Sequence, residues 1–511
     1  MPEELIRKWL TKIKREWKTA FLAAAIFGLL THLYIFTNYM PHHDGILSIY
    51  TPQQGFEMGR FFLTPFSGIG SYFDLPWLNG MLSVFYLTLT TVALTDLFRL
   101  QKTLSIILTA GLLTTFPVIT ATLSYTFTAD GYMAASFVTL LALLLASKYK
   151  YGFVPGAFLL YMGVSVYQAN FPFLLTVATV FLINEILSFG ISLRKVLSYI
   201  ARFGLLALIG MGLYYLTFKI YTDVFSGELL EYQGVDEVGN SSAGLLEIVP
   251  LIRSGMVEYF FRGIPADMPA NLFEVLNVLL FILIVLAIAA AVVENRIYES
   301  GWKLAVVMVL LFSLPFSAYS LFFISPDIWY HFLMILAVIG FYLLPVVIYD
   351  KLKISSILSK VTSWSTVLLF AVIIFNFAII ANISYLNMEL KFEKSQALAL
   401  RILDRMEQTE GFDKDTPIAV YGSVPIESEI STLVRQKIPP LTGPLQKILL
   451  QDARHFQSMM DNFFGVPYEF ILDEEDLHEI VQSADYEEME AWPAESSVQM
   501  SDGVLIIKLE E

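Results

Sequence analysis

Asn38-Tyr39-Met40-Pro41-His42-His43-Asp44-Gly45 ends one kind of sequence and begins another. Before it, the apolar run Thr19–Asn38 has the roughly 20 residues a helix needs to cross about 30 Å of hydrocarbon. After it, Gln53-Gln54-Gly55-Phe56-Glu57-Met58-Gly59-Arg60 follows in the same loop. The chain therefore leaves a membrane near Asn38, and two imidazoles, two carboxylates and a guanidinium gather at the exit. The remainder reads as scaffolding that holds this loop against a bilayer.

Composition agrees with that reading. Of 511 residues 56% are hydrophobic, 15% are charged and 41 are Phe, with a mean hydropathy of +0.63. These values lie outside the range of soluble globular chains and describe a polytopic membrane protein. There is no cysteine, which excludes disulfides, thiolate catalysis and Cys-based metal sites. From Asn387 onward stand 25 of the 47 acidic residues but only 10 of the 32 basic ones. The membrane part is thus neutral, and the net charge of -15 belongs to a tail. No nucleic acid is expected as a partner, because a phosphate backbone needs a basic surface.

The N-terminus, with Arg7, Lys8, Lys12, Lys14, Arg15 and Lys18 among Leu5, Trp9, Ile13 and Trp17, reads as an amphipathic helix on the cytoplasmic face. A cleaved signal peptide is the rival reading, against which stand the length of the run and the absence of a cleavage site. Further spans are expected at Trp77–Phe98, Thr103–Thr122, Gly131–Ser147, Gly152–Tyr167, Phe171–Phe189, Leu197–Phe218, Leu272–Val293, Trp302–Phe323, His331–Tyr349 and Trp364–Tyr385. With the first they make about eleven. Arg99 and Lys102, Lys148 and Lys150, Arg194, Lys195 and Arg202, Arg296 and Lys303, and Lys351, Lys353 and Lys360 then share one side, which the positive-inside rule makes cytoplasmic. The outer side receives loop 39–76, Asp130, Gln168-Ala169-Asn170, loop 219–271 and Ser325-Pro326-Asp327.

The expected fold class is an all-α polytopic membrane protein over residues 1–386, followed by a small acidic α/β domain, 387–511, outside the cytoplasm. In loop 219–271, Leu245–Arg253 and Val257–Phe261 suggest short helices on the membrane surface, with Lys219, Arg253 and Arg262 at headgroup depth. In the tail, Met388–Gln408 continues the last span as a helix, Thr416–Gly422 and Val504–Lys508 read as strands, and Gly443–Asn462 reads as a helix.

Several polar residues could carry chemistry. Asp44, just outside the hydrocarbon beside His42 and His43, could act as a general base on an acceptor hydroxyl; the plainer reading is a loop carboxylate without a role. Arg60, with Glu57 on the same short piece, could clamp a phosphate in bidentate fashion or merely snorkel to headgroups. Asp130 reads as a second carboxylate of the site or as a helix-terminal charge that favours the macrodipole, and the two are compatible. Gln168 and Asn170 suit sugar hydroxyls because amides both donate and accept, although a hairpin turn explains them as well. Tyr330 and His331, after Trp329, offer an aromatic platform or an interfacial belt. Adjacent His42, His43 and Asp44 point different ways and need distant partners to hold a metal. A divalent cation between Asp44 and Asp130 is the open alternative.

An N-terminal span, an outer loop with an early Asp44, then Gly59-Arg60 and then Tyr167-Gln168 resembles the GtrII-type bacterial glucosyltransferases, and more broadly the GT-C fold. The likeness extends to the strand Pro417–Gly422 that opens the tail. It implies a catalytic Asp44, a supporting Asp130, a polyprenyl-phosphate sugar as donor and a cell-surface glycan such as O-antigen as acceptor. Arg60, with Lys219, Arg253 or Arg262, would meet the donor phosphate. The resemblance further implies a bacterial plasma membrane location and partner enzymes that make or flip the lipid donor. A transporter or flippase for lipid-linked oligosaccharide is the alternative, but such proteins place ionisable groups at mid-membrane and carry inverted repeats. Neither feature is visible here. A sensory protein with an outer binding domain would leave Asp44, Arg60 and Asp130 unexplained.

Overall fold

The computed structural model, which describes residues 2–188, 190–230, 244–263 and 271–510, is a stack of long helices followed by a small mixed tail. α1 (Pro2–Leu10) precedes α2 (Arg15–Thr37), the first long apolar helix, which ends at Asn38 as the sequence suggests. The loop beyond it carries two short helices, α3 (His43–Leu47) and α4 (Leu63–Ser67). Then come α5 (Pro76–Leu97), α6 (Thr103–Thr115), α7 (Pro117–Leu123), α8 (Thr126–Lys148), α9 (Phe153–Val166), α10 (Asn170–Leu187) and α11 (Leu193–Lys219). After them follow α12 (Leu245–Phe261), α13 (Leu272–Glu294), α14 (Gly301–Ala318), α15 (Ile339–Lys351) and α16 (Ile357–Gln408).

Among the described residues eight helices are long and apolar enough to cross a membrane, or nine if α6 and α7 count as one bent span. The 42° bend between them has a local cause: Pro117 opens α7, and Phe116 before it is forced out of the helical region. Each of the eleven expected spans overlaps a helix, but α9 has 14 residues and α15 has 13. At 1.5 Å per residue these reach only about 20 Å. The segment expected as His331–Tyr349 begins as single 3-10 turns at Phe332–Met334 and Leu336–Val338 before α15 starts. Residues 231–243 and 264–270 of the long loop lie outside the described part. Within it, the two expected short helices are one, α12, which passes through Pro250.

Packing follows the apolar faces: α2 lies on α5 and α6, α5 on α8, α8 on α9, α9 on α11, α10 on α14 and α13 on α16. Hydroxyls along these helices, such as those of Thr91, Thr95 and Thr115, donate to carbonyls one turn back, so they need no partner from lipid. The basic residues assigned to one side do gather at one end. Asp96 binds both Lys14 and Lys148, Arg99 stands 3.4 Å from Glu185, and Lys351 donates to the Arg99 carbonyl. Buried Asp350 accepts from the N–H groups of Gln101 and Lys102 at 2.9 and 2.8 Å and thereby fixes the turn that enters α6.

The tail begins inside α16, a single helix of 52 residues. Strands β1 (Ile418–Tyr421), β2 (Val498–Ser501) and β3 (Val504–Lys508) form a sheet ordered β1-β3-β2, parallel between β1 and β3 and antiparallel between β2 and β3. β1 and β3 fall where expected. β2 is an addition that the sequence pattern did not reveal. The tail has its own apolar core around Leu398, Ile402, Ile418, Phe456 and Leu505, and Ile46 of α3 is part of it.

The helix expected over Gly443–Asn462 needs correction. Residues 443–452 are irregular, and after α17 (Glu429–Lys437) the next helix is α18 (Ala453–Met459). Gly443 has φ +90, and a Cβ there would lie 2.1 Å from Ser124 Oγ. The segment's carbonyls are taken by α16 instead of by a helix of their own: Asn387 Nδ2 donates to Pro444, and Lys391 Nζ to Gln446.

Replacing Asp350 by Ala is expected to cost about 1–3 kcal/mol, since two backbone N–H groups lose a charged acceptor. The thermal midpoint of the purified protein in detergent should fall, and an unchanged midpoint would show that this contact carries no weight.

Candidate active site

The first loop is organised by its own caps. His42 Nδ1 accepts the Asp44 N–H at 3.1 Å, which opens α3 and turns the His42 ring inward against Tyr125, with centroids 3.8 Å apart. His42 is buried, whereas the Asp44 side chain is 48% exposed. His43 Nε2 lies 3.1 Å from Asp44 Oδ1. Burial holds the His43 imidazole below its ordinary range, against the pull of Asp44 and with repulsion from His455 adding to the effect.

Arg60 is set by a second local device. Its N–H donates to Gly55 at 2.8 Å across a tight turn in which Gly59 has φ +70. Any Cβ at Gly59 would stand 2.4 Å from Tyr214 Oη, so glycine is required twice over. Gln168 Nε2 donates to the Met58 carbonyl at 2.7 Å and to Tyr214 Oη at 3.1 Å. The Gly59-Arg60 and Tyr167-Gln168 pairs, far apart in sequence, are therefore one structural unit. Arg60 Nη1 donates to Tyr132 Oη at 3.1 Å, and its guanidinium stands 5.5 Å over the Tyr167 ring. Tyr132 and Tyr167 stack on each other at 4.5 Å and 7°.

Asp44, His43 and Arg60 face one cavity of about 820 Å³. Tyr125, Phe127, Tyr132 and Tyr167 contribute to its walls, as do Glu258 and Tyr259 of α12 and Trp329, Tyr330 and His331. The irregular tail segment between Pro440 and Lys447 closes it. Thr442 Oγ1 accepts the Phe332 N–H at 3.1 Å and latches that segment to the opposite wall. Such a space has a carboxylate at one side, a guanidinium at another and aromatic faces between them. It can hold a phosphate and stack a sugar ring.

Of the residues singled out from sequence, Asp44, His43, Arg60, Tyr330 and His331 line this cavity. His42 lies behind it. Gln168 supports the Arg60 turn from outside. Asn170 is buried and brackets a helix turn, accepting from Ser136 and donating to the carbonyls of Gly163 and Tyr167. Glu57 is exposed and outside the lining, Lys219 pairs with Asp223 at 3.7 Å, and Arg253 and Arg262 do not reach the cavity wall. Asp130 is buried in α8 and faces the Gly68–Gly70 turn, where a Cβ at Gly70 would meet its Oδ2 at 2.7 Å. It does not share the cavity with Asp44.

Sequence reasoning missed Tyr132, Glu258 and Lys447, because nothing local marks a residue that only folding brings to a wall. It also missed Asp74, just before α5, although a carboxylate beside an apolar run was a readable signal. Asp74 is buried and accepts from Thr126 Oγ1 at 2.5 Å. Burial pushes its carboxyl up to about 6, against the hydrogen bond from Thr126 and the influence of the nearby Tyr39 hydroxyl.

Residues 33–339 match the family model described as Glucosyl transferase GtrII. No curated protein matches the chain. The matched region is more than half of the 511 residues. It contains Asp44, Arg60 and Gln168 and ends before the tail.

The raised Asp74 pKa has a consequence for stability. The folded state holds the proton more tightly than the unfolded chain, so this group's contribution falls as pH rises from about 4 to about 6 and is flat above. In thermal scans across that interval, Asp74→Asn should gain on the wild type as pH rises. A constant difference between the two would overturn the assignment.

Proposed function

The chain belongs to the GtrII glucosyl transferase family, and we propose that it moves glucose from a polyprenyl-phosphate donor to a cell-surface glycan at the outer face of the membrane. The observation that carries this reading is the placement of Asp44 and Arg60 on walls of one aromatic cavity. Arg60, steadied by Tyr132 and Tyr167, takes the donor phosphate, for which a planar fork of N–H groups is well shaped. The polyprenyl tail stays between helices, and the sugar stacks on the tyrosine faces.

Asp44 accepts the proton of an acceptor hydroxyl as that oxygen bonds to the anomeric carbon. The bond from that carbon to the phosphate oxygen breaks, and polyprenyl phosphate leaves as an anion that Arg60 stabilises. One base and a direct displacement imply inversion at the anomeric carbon. Asp130 supports the site from behind, through the Gly68–Gly70 turn. The tail segment between Pro440 and Lys447 shields the reaction from water and offers Lys447 and Gln446 to the acceptor.

Topology supports the outer face. The basic residues are gathered at one end by Asp96, Glu185 and Asp350, and the positive-inside rule makes such an end cytoplasmic. The cavity is built by the loops assigned to the other side. Enzymes that make or flip the lipid donor are the implied partners. The flippase alternative gains no support from the family match.

Asp44→Asn should reduce glucose transfer about 10²–10⁴-fold without lowering the thermal midpoint. The assay is sugar release from radiolabelled polyprenyl-phosphate glucose by purified protein with glycan acceptor. Full activity in that variant would sink the assignment of the base. Arg60→Ala should raise the KM for donor, and Arg60→Lys should restore it only in part.

A further inference from the structure

The chain has six histidines, and three of them meet where the first loop touches the tail. His42 and His43 lie at the start of α3 and face each other through their Nδ1 atoms at 3.2 Å. His455 comes from α18 of the tail, and its ring stacks near that of His43 with centroids 6.3 Å apart. The contact is no chance graze. Ser458 Oγ, one turn further along α18, donates to the Ile46 carbonyl of α3 at 2.7 Å.

The hydrogen bonds around these rings direct their lone pairs. His455 Nδ1 meets Asp452 Oδ1 at 2.7 Å, so the ring proton belongs there and Nε2 is left bare. That Nε2 is buried in a residue only 3% exposed and has no hydrogen-bond partner. A buried imidazole nitrogen without a partner is costly unless something else occupies its lone pair. His43 repeats the pattern, with Nε2 against Asp44 Oδ1 at 3.1 Å and Nδ1 turned toward His42. An imidazole held by a carboxylate through one nitrogen and open at the other is the arrangement that orients metal-ligating histidines.

We propose that His42, His43 and His455 bind one zinc-class divalent ion and so clip the tail to the first loop, with Asp44 and Asp452 orienting two of the rings. The separations fit this assignment. His42 and His43 offer ligand atoms within 4.8 Å of one another and of Asp44, whereas His455 stands outside that group, with its ring 6.3 Å from that of His43. Two nitrogens that share a tetrahedral ion at about 2.0 Å lie roughly 3.3 Å apart, close to the 3.2 Å found between the two Nδ1 atoms. Rings sharing such an ion have centroids about 5 Å apart, so His455 must close in by about 1 Å. Binding also exchanges the Asp44 N–H bond to His42 Nδ1 for the ion. Three neutral nitrogens with a fourth position left for water favour zinc, cobalt or nickel over magnesium or calcium.

The inference shares Asp44 with the glucosyl transfer reading, but its test does not depend on turnover. The full chain, freed of any affinity tag and stripped with chelator, is titrated with Zn²⁺ by calorimetry and with Co²⁺ by visible absorption. One equivalent should bind, with cobalt bands of tetrahedral intensity and a raised thermal midpoint. His455→Ala should weaken binding at least tenfold, and Asp452→Asn about 10–100-fold. His478→Ala, at an exposed histidine of the tail, should leave binding unchanged. Absence of stoichiometric binding, or unchanged affinity in both the His455 and Asp452 variants, would overturn the proposal. If His455→Ala fails to fold, the Asp452 variant decides.

Discussion

Hydrocarbon tolerates neither bare backbone nor isolated charge, and the placement of this protein's chemistry follows from that constraint. Helices satisfy the backbone, and their hydroxyls bond back onto their own carbonyls. Charge is then pushed to the ends of the stack. At one end the cations are met by Asp96, Glu185 and Asp350 and serve packing. At the other the loops carry Asp44 and Arg60 into a shared hollow. The division of labour between the two ends is an outcome of solvation before it is one of function.

Arg60 shows how such a hollow is prepared before any substrate arrives. Its turn is shaped by Gly59, its carbonyl neighbour is tied by Gln168, and its guanidinium rests on a pair of stacked tyrosines. None of these groups touches Asp44. The distance between Asp44 and Arg60 is thus governed by how loop 39–76 packs on α8, α9 and α11, and not by any direct bond between them. Asp130 and Asn170, which the sequence also offers as a supporting carboxylate and a sugar-binding amide, are buried in the packing that holds those walls.

Much of this was legible in the chain, for identifiable reasons. A span such as Thr19–Asn38 declares itself by length and hydropathy, and a strand such as Val504–Lys508 by its run of branched apolar residues. Asp44 and Arg60 stood out because few other ionisable groups compete for attention at a membrane edge. The irregular course of 443–452 was illegible, since its backbone partners, Asn387 and Lys391, lie on α16 some 55 residues or more away. Local periodicity cannot report a hydrogen bond of that span. His42 and His43, adjacent in sequence, need distant partners to hold a metal. Only the folding of the tail brings His455 near them.

The unbroken length of α16 gives the tail a particular mechanical character. Fifty-two residues at 1.5 Å each make a rod of about 78 Å, more than twice the hydrocarbon thickness. It has no proline within its length. A rod without a joint cannot let the tail swing on its own. Displacement of the tail must instead tilt the whole shaft within the bilayer or bend the chain beyond Gln408. Through Asn387 and Lys391 the segment that lines the cavity is held by the same unbroken helix that packs on α13 and α6.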